Sequence, residues 1–112
     1  MPDKSLKGRI EEHYRSLGRI KVEVPEWEVT LYADPINLEQ KSRMYAWNTT
    51  PGEKRLVSFA KTVIMLAQNE DGSKVFSDSD LDMLAHRSDP DVVSRVSNEL
   101  SRVPEVEDLK ND

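Results

Sequence analysis

The sequence contains no cysteine, which excludes disulfides, thiol catalysis and thiolate metal ligands. This absence agrees with a reducing compartment. Glycine is scarce, with four residues among 112, so a glycine-rich cradle for a phosphate group is difficult to build. No nucleophile-elbow, phosphate-loop or dinucleotide-binding motif occurs. We therefore expect a protein that is not an enzyme and that needs no cofactor.

Long apolar segments are missing as well. No apolar run approaches the roughly 18 residues needed to span a bilayer. Residues 1–7 are polar and lack the apolar stretch of a signal peptide. We therefore expect a cytosolic protein that makes no membrane contact.

The chain also has no excess of positive charge. Sixteen Lys and Arg residues stand against twenty-one Asp and Glu residues, which gives a formal net charge of −5. Arg15, Arg19 and Lys21 are the nearest approach to a basic cluster, and glutamates surround them. Nucleic-acid binding usually depends on clustered cations that displace counterions. We therefore expect no nucleic-acid partner.

What the sequence does contain is a clear hairpin pattern followed by helical patterns. Apolar and polar residues alternate over 20–24 and again over 27–32, with Pro25 between them, which predicts two antiparallel strands joined by a tight turn. Helical periodicity marks 5–17, 38–48, 53–68 and 78–86, and Asp89-Pro90 begins a further helix. The segment 53–68 is apolar around most of its circumference and is expected to be the central helix.

These patterns predict a mainly α-helical fold with a small N-terminal β-hairpin, an α+β class. Because a lone hairpin is marginal in water, its apolar face should pack on a bundle of four to five helices. We divide the chain into an N-terminal segment with helical periodicity (1–18), a single globular domain (19–103) and an acidic disordered tail (104–112).

No residue pattern predicts a metal site. His13 and His86 lie on different predicted helices without patterned partners, whereas a site needs several converging ligands. Asp78, Asp80 and Asp82 alternate, but residues two apart on a helix do not face each other. These acids instead favour the positive end of a helix dipole. An EF-hand loop built around the only acidic glycine turn, at residue 72, lacks the required first Asp.

One group of side chains is a candidate for binding a protein partner. Met44, Tyr45 and Trp47 lie close together in sequence, and Met65 lies at the margin of the central helix. Methionine is adaptable, and Trp and Tyr are enriched at protein interfaces. The alternative is that these four residues complete a small core.

The order of segments resembles a known family. IKVEVPEWEVTLY at 20–32 is similar to the opening of tail assembly chaperones of long-tailed bacteriophages, and VPEW with the DG-x-x-x-F-S-D segment carries most of the likeness. The resemblance covers about residues 20–103. The segments that follow in the same layout are ADPINLEQKSR, LVSFAKTVIMLAQ, NEDGSKVFSDSDLDML and VVSRVSNELSRV.

The resemblance implies a specific role. Such chaperones bind the tape measure protein, recruit the tail tube protein and leave before the virion is complete. It implies a late protein of a phage or prophage, present in the host cytoplasm, with a partner in a frameshift-extended form of itself. No family motif marks client-binding residues.

Two rival functions stay open at the level of sequence. One is a structural virion protein, such as a tail-completion or head–tail connector subunit. The other is a small transcriptional regulator built on the last two helices as a helix–turn–helix. Asp89, Asp91 and Glu99 lie on the helix that would read DNA, and their negative charge argues against the regulator.

Overall fold

The computed structural model of the chain describes residues 5–51 and 55–102. The predicted acidic tail at 104–112 lies outside these residues. Two 3₁₀ helices accompany the main elements: Pro25–Trp27 joins the strands, and Asp78–Asp80 leads into α4. The main elements are α1 (Leu6–Ser16), β1 (Ile20–Val24), β2 (Val29–Ala33), α2 (Leu38–Thr49), α3 (Arg55–Leu66), α4 (Leu81–His86) and α5 (Pro90–Leu100). This is the α+β class that the sequence patterns predict.

The two strands form an antiparallel hairpin whose inner face is buried. Ile20 pairs with Ala33 and Val22 pairs with Leu31 in its register. All four of these side chains are at most 3% exposed, so the predicted period-two alternation is confirmed for β1. Val29, which the alternation also placed on this face, is 37% exposed because it lies at the turn end of β2.

The turn of the hairpin differs from the sequence prediction in one respect. Residues Pro25–Trp27 form a 3₁₀ helix, and Glu28 follows in the left-handed conformation with φ 53°. The Glu28 N–H donates to the Pro25 carbonyl over 3.1 Å. Trp27 is therefore part of the turn instead of the second strand, and its half-buried ring packs against the core.

The core lies between the hairpin and the helices α3 and α5. The central position predicted for the third helix is confirmed, since α3 packs on α2, α4 and α5, and α5 also packs on β1. From α3 and the residue after it come Ala60, Val63, Ile64, Leu66 and Ala67; from α5 come Val92, Val93, Val96 and Leu100. Burial of these side chains supplies the main stabilisation of the domain.

Helix α3 ends at Leu66, two residues before the predicted end. The reason is a backbone pairing between distant segments. The Gln68 N–H donates to the Tyr32 carbonyl over 2.7 Å, and the Tyr32 N–H donates to the Gln68 carbonyl over 2.9 Å. Gln68 thus extends the edge of β2 and cannot continue the helix.

Arg19 holds the loop after α3 against the hairpin. Its guanidinium donates to the carbonyl of Glu70 over 2.6 Å, to the carbonyl of Asn69 over 3.0 Å and to the side-chain oxygen of Gln68 over 3.0 Å. The guanidinium carbon also lies 5.0 Å from the centre of the Tyr32 ring. Arg19 therefore has a structural role in fixing the loop.

Side chains cap the starts of three helical segments. Asn37 caps α2, its side chain accepting from the Gln40 N–H over 2.8 Å, and the Gln40 side chain closes a capping box. The Asp80 carboxylate accepts from the Ser77 N–H over 2.8 Å. Asp89 caps α5 as predicted. Such caps satisfy amide groups that the first helical turn leaves without partners.

An ion pair ties the hairpin turn to α5. Both terminal guanidinium nitrogens of Arg95 donate to the Glu26 carboxylate, over 2.8 and 2.9 Å. These charge-assisted hydrogen bonds lower the pKa of Glu26 from 4.5 to about 2. The pair joins residues that are 69 positions apart in sequence.

Replacing Glu26 with Gln should lower the melting temperature at pH 7. A depressed folded-state pKa means that the carboxylate stabilises the fold above its unfolded pKa, and that this contribution disappears as the pH falls from about 4.5 to about 2. Melts at several pH values should therefore show the wild type and the variant converging near pH 2. A Glu23→Gln control on the same hairpin should show a smaller deficit at pH 7; an equal deficit would contradict the assigned ion pair.

Replacing Glu28 with Gly should raise stability by about 0.5–1 kcal/mol, because the left-handed conformation costs little for glycine. Urea denaturation should show a higher midpoint with an unchanged slope. Glu23→Gly, at a strand position of β1, is the matched control and should lower the midpoint. A fall in both variants would contradict the role of the positive φ.

Candidate partner-binding surface

A cleft opens between α2, α3 and the segment that leads into α4. On α2, Arg43 and Trp47 are four residues apart and share one helix face. On α3, Lys61, Ile64 and Met65 share another. Residues of both sets line the cleft, whose volume is about 450 Å³. The spacing of residues along the two helices therefore builds two facing walls.

The third side of this cleft comes from the segment after α3. Lys74, Asp78 and Leu81 complete the lining. Lys74 is placed by an isolated bridge to Gln68, the residue that also pairs with Tyr32. We refer to this cleft, lined by Arg43, Trp47, Lys61, Ile64, Met65, Lys74, Asp78 and Leu81, as the basic cleft.

The charged side chains of the basic cleft surround an apolar surface. The Lys61 ammonium lies 5.9 Å from the centre of the Trp47 ring, within the range of a cation–π contact. The Arg43 guanidinium lies 3.0 Å from the Glu39 carboxylate, one turn earlier on α2. The cleft can therefore hold an apolar side chain while its rim presents cations.

Two of the four predicted partner-binding residues meet in this cleft. Trp47 and Met65 are both half-buried and line it together. Met44 is half-buried and Tyr45 is 71% exposed on α2, and neither is among the lining residues. Partner binding by any of the four stays a prediction.

The structure has a second cleft that the sequence did not predict. Trp27 and Phe76 meet edge to face, with ring centres 6.5 Å apart and planes at 79°. Together with Val29, Val75 and Met83 they line an apolar cleft of about 470 Å³. The two rings come from segments 49 residues apart, so no local pattern could bring them together. The only local signal was an aromatic residue in each of the VPEW and VFSD segments.

Helix α1 carries an exposed apolar stripe. Leu6 and Ile10 are 65% and 60% exposed, and Tyr14 is 39% exposed. The Tyr14 hydroxyl donates to the Pro35 carbonyl. Gly18 follows the helix with φ 71°, a left-handed conformation with which many helices end. The predicted amphipathic helix is confirmed, and its apolar face is largely open to solvent.

The alternating acids near α4 engage different partners. Asp80 binds the Ser77 amide. The Asp82 carboxylate accepts from Arg87 over 2.8 Å and lies 3.0 Å from the His86 ring nitrogen. The hydrogen bond from Arg87, with a smaller contribution from His86, holds the pKa of Asp82 below its usual range. In residues 5–51 and 55–102, no three His, Cys, Asp or Glu side chains group closely enough to hold a metal ion.

The fold resembles that of a solved phage protein. The structure of the bacteriophage HK97 tail assembly chaperone matches with a TM-score of 0.57 and 24% sequence identity. The match covers 77% of this chain and 84% of the HK97 chain. The fold agrees with the family resemblance in the sequence.

The other comparisons give no further relationship. No protein-family model matches the chain, and no curated protein matches it. Within the described part of the chain, every helix is too short or too polar to cross a membrane.

A double Trp47→Ala/Met65→Ala variant should stay folded and lose at least about tenfold in affinity for a protein partner, as expected when two interface anchors are truncated. Affinity purification after co-expression with a candidate partner measures the binding that remains, and circular dichroism measures the fold. Loss of more than about 3 kcal/mol of stability would instead assign the two side chains to the core.

Tyr45→Ala separates two locations for the interface. If the basic cleft binds the partner, this variant should bind like the wild type, because Tyr45 does not line the cleft. If Tyr45→Ala loses affinity while the double variant keeps it, the partner binds the exposed side of α2.

Proposed function

We propose that this chain is a phage tail assembly chaperone that binds the tape measure protein and recruits tail tube subunits during tail morphogenesis. The observation that carries the proposal is the fold shared with the HK97 tail assembly chaperone over most of both chains. The segment order in the sequence, from the VPEW hairpin to the last helix, supports it independently.

The surface features support reversible protein binding. The basic cleft offers Trp47 and Met65 beside aliphatic side chains, and methionine and tryptophan adapt well to apolar partners. The exposed stripe of α1 and the cleft at Trp27 and Phe76 add further apolar surface. A chaperone that masks a helical client before assembly needs surface of this kind.

The proposed role also defines where the protein acts. It binds its client in the host cytoplasm, performs no catalysis and is absent from the finished virion. The net charge of −5 favours solubility while the apolar surfaces await a partner. A frameshift-extended form of the chain is a further proposed partner.

Co-expression with the tape measure protein of the same phage tests the proposal. The tape measure protein should stay soluble and co-purify with this chain, whereas it should precipitate when expressed alone. Co-expression with the Trp47→Ala/Met65→Ala variant is the matched control for non-specific solubilisation. Separate elution and precipitation of the tape measure protein would contradict the proposal.

Purified particles distinguish a chaperone from a structural subunit. Mass spectrometry of intact virions should detect the tube and tape measure proteins without this chain. Finding it at fixed stoichiometry with the tube would identify a tail-completion or connector subunit instead.

A further inference from the structure

We propose that the basic cleft binds an amphipathic helix of the partner whose apolar ridge is flanked by Asp or Glu side chains. This inference rests on the proposed function and adds the chemistry of the client segment. It depends on charge complementarity between the rim of the cleft and the occupant.

The shape of the basic cleft suits a helix. Two of its walls come from helices, Trp47 from α2 and Met65 from α3, and Ile64 and Leu81 add aliphatic surface to the lining. An amphipathic helix docks in such a groove through apolar side chains spaced three or four residues apart. Ile64 is 5% exposed and belongs to the core, so this part of the cleft wall is fixed by core packing.

Cations converge on the cleft from three different elements. Arg43 comes from α2, Lys61 from α3 and Lys74 from the loop after α3, and Asp78 is the single acid in the lining. The local balance is therefore positive in a chain whose net charge is −5. A basic helix would be repelled at this rim, whereas an acidic flank would be attracted.

The existing ion pair at the rim does not block an acidic occupant. The side chains of Arg43 and Glu39 are 59% and 76% exposed, and exposed pairs of this kind hold their partners weakly. A carboxylate of the occupant can replace Glu39 as the partner of Arg43. The Lys61 ammonium already lies over the Trp47 ring. An apolar side chain of the occupant that packs on Trp47 would therefore place an adjacent Asp or Glu of the occupant near this ammonium.

A nucleic acid is a poorer occupant for the same cleft. Phosphate binding favours a longer basic track, whereas here three cations alternate with aliphatic side chains and one carboxylate. Met65, Ile64 and Leu81 match apolar side chains. The protein helix is therefore the occupant that both the charge and the surface favour.

Two synthetic peptides test the proposal. Each is an amphipathic helix of about 18 residues, long enough to form a helix on binding, with Leu every third or fourth position; one has Glu flanks and the other has Lys flanks. Fluorescence anisotropy should show at least about fivefold tighter binding of the Glu peptide. The preference should shrink as NaCl rises from about 50 to about 300 mM, because salt screens exposed charges.

Charge reversal in the protein locates the effect. Arg43→Glu/Lys74→Glu should abolish or invert the preference for the Glu peptide. Lys41→Glu is the matched control, since it changes the charge of an exposed residue on the same helix α2 outside the cleft lining, and the preference should persist. Circular dichroism should show the same helicity in all three proteins.

Several results would overturn the proposal. Equal binding of the two peptides, or an equal effect of Lys41→Glu, would mean that the cations of the cleft do not select the occupant. Displacement of the Glu peptide by a short single-stranded oligonucleotide would assign the cations to phosphates. A concentration-dependent dimer in sedimentation that Trp47→Ala dissolves would make a second copy the occupant.

Co-purification with the tape measure protein tests this inference separately from the proposed function. If Arg43→Glu/Lys74→Glu still co-purifies with a soluble tape measure protein, the chaperone function stands and the acidic-helix inference fails. If the wild-type chain fails to co-purify while the Glu peptide binds selectively, the cleft has the proposed chemistry for another partner, and the proposed function fails.

Discussion

The inner face of the β-hairpin has to be covered, and the rest of the structure follows from that constraint. Two strands bury little surface between themselves and are marginal in water. Val24 and Ala33 on this hairpin are completely buried. Helix α5 packs directly on β1, and α3 packs on α5. Arg19 and the Glu26–Arg95 pair then fix the edges of this arrangement. Helix α2 is left beside α3 at the periphery, with the basic cleft between them.

Local chemistry made much of the fold predictable from sequence. The alternation at Ile20, Val22 and Val24 depends only on the geometry of a strand, and the cap at Asp89 depends on a side chain next to the amide that it satisfies. Features that join distant segments could not be predicted in this way. The early end of α3, for example, depends on the backbone of a residue in β2, which helical periodicity does not encode.

The candidate surface was partly predictable for the same reason. Trp47 and Met65 were selected by residue type, and the structure brings them into one cleft, whereas Tyr45 is on the exposed side of α2. The cations of the cleft were missed because they are scattered in sequence and converge only in the fold. Arg19, one of the basic residues that are close together in sequence, instead binds the loop after α3.

The contact between β1 and α5 has a consequence for how the chain acquires its structure during synthesis. The hairpin is made early, but the helix that covers it ends at Leu100. Until that helix leaves the ribosome, Ile20, Val22 and Val24 have no permanent cover, and non-local pairings of this kind slow folding. The nascent chain therefore exposes the apolar face of its hairpin until the last helix is made, and exposed apolar surface of this kind promotes aggregation.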